Sequence, residues 1–248
     1  MNPYRTLETL LLGAVSSERL MDDGSMTPTR EPLKVLEWSY PNLREVISSN
    51  AVLDFGCGFG DQVAAMNEKY GALVTGVDTD LSYIEAARKR YPSLEFVTEV
   101  PVGRTWDVVV SINAMEHYND PDAALQAMLR LTRRGGRVLI TFGPPWWAPY
   151  GSHMDLFCRL PWAQLWFSEA AIMSVRSRYR SDGAKRFEDI QGGLNRMSLG
   201  KFERILSRHC SQKSVTVRYV GVKKIQAPTR IPVVRELCTN HVIAEIST

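Results

Sequence analysis

The stretch AVLDFGCGFG at 51–60 constrains this chain more than any other. Three apolar residues lead to an aspartate, then glycines follow at 56, 58 and 60, and Asp61 opens a helical run. A strand-to-helix turn stripped of side chains lets a ligand lie directly on the backbone. Ala51, Val52 and Leu53 predict a buried parallel strand, and Gln62–Tyr70 a helix. A second β-rich run, Ala72–Val77, ends in Asp78, 22 residues beyond Gly56. At that tip of a βαβ unit a carboxylate meets the two hydroxyls of a ribose, so a nucleoside cofactor with an unphosphorylated ribose is expected. Asp54 sets its charge. Placed just before the glycines, it would repel the pyrophosphate of a dinucleotide and attract a cation.

The rest of the chain repeats the alternation of a doubly wound α/β sheet. Strands are expected near 51–55, 72–77, 94–98, 107–112 and 136–142, with helices near 61–70, 81–90 and 121–132. Asp80 is placed to cap the second of these helices, and Pro121 starts the third. Before them, Asn2 and Pro3 open an amphipathic helix, and after a turn-rich 22–28 a second helical region runs over 33–48, interrupted at Pro41. This preamble is either packing or a lid. Beyond Phe142 regularity stops for some fifty residues, then resumes with Ser198 capping a helix, a strand over 215–222 and a last strand over 241–246.

Composition narrows the class. Hydrophobic residues make up 44% and charged residues 23% of 248, as in an ordinary globular protein. No apolar run approaches the roughly 18 residues of a membrane span, and the N-terminus lacks a secretory layout, so a cytoplasmic protein without stable membrane insertion is expected. The four cysteines form no Cys-x-x-Cys pair and are expected as free thiols, with no catalytic metal. Charge is uneven: residues 1–150 carry 14 basic and 19 acidic side chains, residues 151–248 carry 16 and 8. The basic part suits an anionic substrate or an acidic partner, or is simply solvated surface.

The string LDFGCGFG resembles the first motif of class I S-adenosylmethionine-dependent methyltransferases, an acidic residue followed by G-x-G-x-G. LTRRGGRVLITF resembles the family's L-x-P-G-G-x-L segment, with Arg134 in place of proline. SINAMEHYNDP, Ser111–Pro121, resembles the S-x-x-x-x-E-H-x-x-D-P form of many small-molecule members. The resemblance covers 45–142 and 197–247. It implies a seven-stranded Rossmann-like sheet whose final strand inserts antiparallel, with S-adenosylmethionine as cofactor. Asp54 would then lie near the methionine end, Gly56, Cys57 and Gly58 would line the cofactor, Asp78 would hold the ribose with Thr79 also in contact with the cofactor, and Ser111 and Asn113 would pass its reactive end. Glu99 would stand in for the family's usual aspartate at the adenine. The organisation implied is 1–50 as N-terminal helices or lid, 51–142 with 197–248 as cofactor domain, and 143–196 as an inserted substrate cap after the fifth strand.

Transfer to a hydroxyl or activated carbon needs a base. His117, after the fourth strand, is the first candidate, though Glu116 or the backbone could equally pin it as a structural histidine; His153 is the second. His209 and His241 read as structural. The aromatics of 146–167, including Trp146, Trp147 and Tyr150, form either a small core or an apolar substrate pocket, with interfacial anchoring a third reading. The arginines after them, Arg180 among them, recognise an acidic acceptor or pair internally. The acceptor expected is a small molecule, anionic or aromatic, from secondary or specialised metabolism, and oligomerisation is compatible with the chain. Nucleic acid is disfavoured, because Gly143-Pro144-Pro145-Trp146 only superficially resembles the motif of amino-methylating nucleic-acid enzymes and follows the wrong strand. An NAD-dependent oxidoreductase and a catalytically silent cofactor-binding subunit remain as alternatives.

Overall fold

A computed structural model of the chain describes residues 3–17, 31–190 and 192–248. The proposed cap at Asn2 and the whole of the turn-rich 22–28 lie outside these residues. Three helices, α1 (Pro3–Ala14), α2 (Lys34–Ser39) and α3 (Leu43–Ile47), precede β1 (Ala51–Phe55). Then come α4 (Asp61–Tyr70), β2 (Leu73–Val77), α5 (Leu81–Arg90), β3 (Glu95–Val97), β4 (Trp106–Ile112), α6 (Pro121–Leu131) and β5 (Thr132–Phe142). Two short helices, α7 (Ala163–Trp166) and α8 (Glu169–Arg176), occupy the following segment. The chain continues through α9 (Leu199–His209), β6 (Ser214–Gly221), α10 (Pro232–Cys238) and β7 (Thr239–Ser247).

The seven strands form one sheet in the order β3-β2-β1-β4-β5-β7-β6. The first five are parallel, and β7 runs antiparallel between β5 and β6, as expected from the sequence. The strand order reverses between β1 and β4, and such a switch point leaves a crevice at the carboxyl ends of the strands. The glycine turn therefore opens where an α/β sheet receives ligands.

Local signals place the helices. The Asp80 carboxylate accepts the Ser82 N–H at 2.8 Å, Asp120 accepts those of Asp122 and Ala123 at 3.1 and 3.0 Å, and the Ser198 hydroxyl accepts that of Lys201 at 3.1 Å. Each satisfies a donor that the first helical turn leaves without a partner, a contribution of about 1 kcal/mol. One sheet face is covered by α6 and α9 through Leu125, Met128, Phe202 and Leu206. On the other lie α2 to α5, through Leu36, Ile47, Met66 and Ile84. Burial of these side chains, about 1.5–3 kcal/mol each, is what holds the layers on the sheet.

A third cluster forms inside 143–196, from Trp146, Phe157, Ile172, Val175 and Phe187, and it takes Leu12 from α1. The Trp146 ring meets Phe187 edge-on with centroids 4.9 Å apart, and Phe157 stacks on Tyr179 at 5.5 Å. The aromatic run thus contributes a small core. Helix α1 packs on α8, and the Ser17 N–H donates to the Phe157 carbonyl at 2.9 Å.

Candidate functional site

Immediately after β1 the chain turns through Gly56 and Gly58, at φ +83° and +51°. The N–H groups of Gly56 and Cys57 both donate to the Val77 carbonyl, at 2.8 and 3.0 Å, tying the turn to the end of β2. Gly56 cannot be replaced cheaply, because a Cβ there would lie 2.8 Å from the Tyr118 hydroxyl. Asp78 holds the turn from the other side: its Oδ2 accepts the Gly58 N–H at 3.0 Å and its Oδ1 that of Asp80 at 3.0 Å. Asp54, Gly56, Gly58, Asp78 and Asn113 are thereby gathered at the switch point.

Two hollows meet there, sharing Gly56, Gly58 and Asn113. The smaller, about 290 Å³, is bordered by Asp54, Cys57 and Gln62. The larger, about 800 Å³, runs past Asp78, Thr79 and Tyr83 to His117 and Tyr118, and is closed on one side by Glu188, Gly192 and Gly193. Asn113 sits between them in a left-handed conformation, φ +52°, its N–H donating to the Thr141 carbonyl at 2.8 Å.

Asp54 is 2% exposed, and its Oδ2 has no hydrogen-bond partner. Burial, with the Asp78 charge adding to it, pushes its carboxyl up to about 7. A buried carboxylate with an unpartnered oxygen is costly and is relieved by a cation. Cys57 beside it is raised well above the ordinary thiol range by burial and then by the two aspartates, so it is not a ready nucleophile.

Near the end of β4, Ser111 is fully buried with its hydroxyl 2.8 Å from Tyr118 Oη, which donates to the Phe55 carbonyl at 2.7 Å. Ser111 is thus part of the site's support and is not among its lining residues. Burial raises the Tyr118 hydroxyl far above its usual range and keeps it protonated. His117 lines the larger hollow, and its Nδ1 lies 2.7 Å from the Gly193 carbonyl. His153 packs edge-on against it, ring centroids 5.6 Å apart, with Nε2 3.3 Å from the Pro144 carbonyl. Burial holds the His153 imidazole below the usual histidine range, with Glu116 pulling the other way.

The remaining expected residues stand elsewhere. Glu99 is exposed and borders neither hollow. Trp146 is 8% exposed in the third core, and Trp147 is largely exposed, its carbonyl accepting from Trp162. The Tyr150 hydroxyl reaches the Arg159 carbonyl at 3.4 Å, and Arg180 donates to the Tyr179 carbonyl. None of the four lines either hollow. Other arginines of the insertion are paired internally: Arg176 with Asp182 at 2.5 and 2.6 Å, Arg186 with Asp189 at 3.2 Å, Arg196 with Glu169 at 2.8 Å. His209 pairs with Asp122 at 2.9 Å, and burial holds His241 down to about 4; neither lines either hollow.

Sequence reasoning passed over Tyr118, Glu188, Gly192, Gly193 and Asn195. Asn195 donates from Nδ2 to the carbonyls of Met115 and Tyr118, at 2.8 and 2.7 Å, and from its backbone N–H to Glu116 at 2.9 Å. Contacts between a side chain and a distant main chain leave no pattern in spacing. Among the described residues no group of three or more His, Cys, Asp or Glu is arranged to hold a metal, and no helix is long and apolar enough to cross a membrane.

Residues 53–140 match the family described as Methyltransferase domain. Methyltransferase GfsG of Streptomyces halstedii is 31% identical over 131 residues, which cover 48% of this chain and 47% of that protein. The ubiquinone biosynthesis O-methyltransferase of Saccharophagus degradans is 28% identical over 131 residues, covering 48% and 54%. The chain thus spans about half the length of these curated relatives. Among solved structures, the plantazolicin methyltransferase BamL, in complex with SAH and a triazolic desmethylPZN analogue, superposes with a TM-score of 0.56 at 13% identity. The match covers 100% of this chain and 91% of that one.

Proposed function

We propose, from the match of residues 53–140 to a methyltransferase domain, that the protein is a class I S-adenosylmethionine-dependent methyltransferase that transfers a methyl group to a small-molecule acceptor. The observation that carries this reading is Asp54: a buried carboxylate with an unpartnered oxygen at the head of a glycine turn, with Asp78 at the tip of the next strand. That pair of acceptors fits the cofactor. Asp54 would accept from its ammonium group, the bare backbone at 56–58 would admit its chain, and Asp78 would accept from the ribose hydroxyls. A pyrophosphate would meet Asp54 with like charge, which disfavours NAD.

When bound, S-adenosylmethionine supplies a methyl on a positive sulfur, which keeps the sulfur–carbon electron pair as the new bond to the acceptor forms. The protein's own share is positioning and proton removal. His117, at the wall of the larger hollow, takes the acceptor's proton, and the segment 143–196 acts as the substrate cap through Glu188, Gly192 and Gly193. Among the described residues, that hollow is lined by Asp78, Asp80, Asp120 and Glu188 and by no lysine or arginine. With three of the cap's six arginines in ion pairs inside it, this charge pattern supports a neutral or cationic acceptor over an anionic one.

Two measurements test the cofactor assignment. Asp78→Ala should weaken S-adenosylmethionine binding by about 1.5–3 kcal/mol, the loss expected for hydrogen bonds to a charged acceptor. Calorimetry on the folded variant checks it, and an unchanged dissociation constant, or thermal stabilisation by NAD in place of S-adenosylmethionine, would refute the reading. Asp54 gives the second. Its raised carboxyl is partly protonated near pH 7 without ligand, and a cation beside it lowers its pKa, so binding should release a proton around pH 7. By the same sign, ligand-free stability from this group is fullest below the unfolded value near 4 and falls as pH rises through about 7. Calorimetry in buffers of different ionisation enthalpy should detect that proton in the wild type and not in Asp54→Asn.

A further inference from the structure

The end of the inserted segment is stitched to the loop that carries His117. Gly193 presents its carbonyl to His117 Nδ1 at 2.7 Å, and two residues on, Asn195 makes three hydrogen bonds to the backbone of residues 115, 116 and 118. Asn195 is itself held, its carbonyl accepting from Lys201 Nζ at 3.0 Å. Gly192 and Gly193 both adopt left-handed backbone, φ +79° and +66°, before the chain enters this clamp.

The chemistry of the contact is one-sided. A carbonyl oxygen only accepts, so the neutral imidazole of His117 must carry its hydrogen on Nδ1 to satisfy Gly193. Its lone pair is then confined to Nε2, which has no protein partner among the described residues. A neutral histidine free in water favours the opposite arrangement, with hydrogen on Nε2, in which that nitrogen could not take a proton.

We infer that Asn195 is a positioning residue that holds the Gly193 carbonyl against Nδ1, locking His117 in the tautomer whose Nε2 is free to accept the acceptor's proton. The catalytic half of this statement rests on the function proposed above; the tautomer does not. The proton leaves the acceptor's hydroxyl or amine for Nε2, giving an imidazolium that keeps its Nδ1–H to Gly193 and later returns the Nε2 proton to solvent. Seating of the cap and readiness of the base thereby become one event, since one short segment serves both.

The test is a two-bond proton–nitrogen correlation spectrum of the full chain labelled with 15N-histidine, recorded with the imidazole neutral, the His117 signals being assigned by their absence in His117→Asn. Wild type should show a protonated Nδ1 and a pyridine-type Nε2. Asn195→Ala should lose that pattern in favour of the Nε2–H form. An Nε2–H pattern for His117 in wild type overturns the proposal even if every variant fails to fold. So does an unchanged pattern in a folded Asn195→Ala or, should that variant be unfolded, in a folded Asn195→Asp, which also lacks the Nδ2 donors. Failure of S-adenosylmethionine to bind in calorimetry would remove the methyltransferase reading and leave the tautomer result standing by itself.

Discussion

Replacing His117 with asparagine is expected to slow methyl transfer by roughly 10²–10⁴ at saturating acceptor, with S-adenosylmethionine affinity preserved. Asparagine retains an N–H that can donate to the Gly193 carbonyl, so the loop keeps its anchor while the proton acceptor is lost. His153→Asn should cost less. His153 borders neither hollow, and its burial disfavours the charged form that a base must reach. Turnover measured for both variants with one acceptor discriminates them. A larger loss at His153 would transfer the role to it, and wild-type rates in both would mean that positioning alone drives transfer.

The second large effect is on stability. Gly60 closes the turn at φ +80°, and a Cβ there would lie 2.5 and 2.6 Å from carbons of the Phe96 ring and 3.1 Å from the Ala87 methyl. Phe96 is 3% exposed, and Ala87 is fully buried, so neither has room to yield. Left-handed strain of about 1–2 kcal/mol and overpacking of about 1–3 kcal/mol add to a loss of roughly 2–5 kcal/mol for Gly60→Ala. That is a large part of the 5–15 kcal/mol that holds a typical domain together. Gly58→Ala is the comparison, because its Cβ would meet nothing within 4 Å and only the backbone strain at φ +51° remains. Denaturant midpoints of the two variants test this, and equal losses would show that Phe96 moves aside.

What could be read from the sequence follows from the range of each signal. The glycine turn, the Asp80 and Ser198 caps and the Asp78 strand tip are encoded within a few adjacent residues, where spacing determines geometry. The antiparallel final strand followed from family resemblance, not from its own pattern. Helix α10 went unread because seven residues, PVVRELC, are too few to display a helical period. The aromatic run hid its division of labour: Trp146 is sealed by Phe187, which lies 41 positions away, while Trp147 beside it faces outward. Arginine-rich composition signalled anion recognition, yet Asp182, Glu169 and Asp189 take up three of those charges. The support of the candidate base was least legible. Gly193 and Asn195 reach it across 76 to 80 positions, through main-chain carbonyls that any residue type presents.

The sheet order also governs assembly. Among the described residues strand β6 pairs in the sheet only with β7, which in turn occupies the place beside β5. During synthesis the five parallel strands can therefore pair as they emerge, while β6 leaves the ribosome with no edge to join. Its residues, and the open flank of β5, must wait for β7, so the nascent chain carries these unpaired β edges until that strand arrives. Those edges are the natural targets of mispairing and of chaperones.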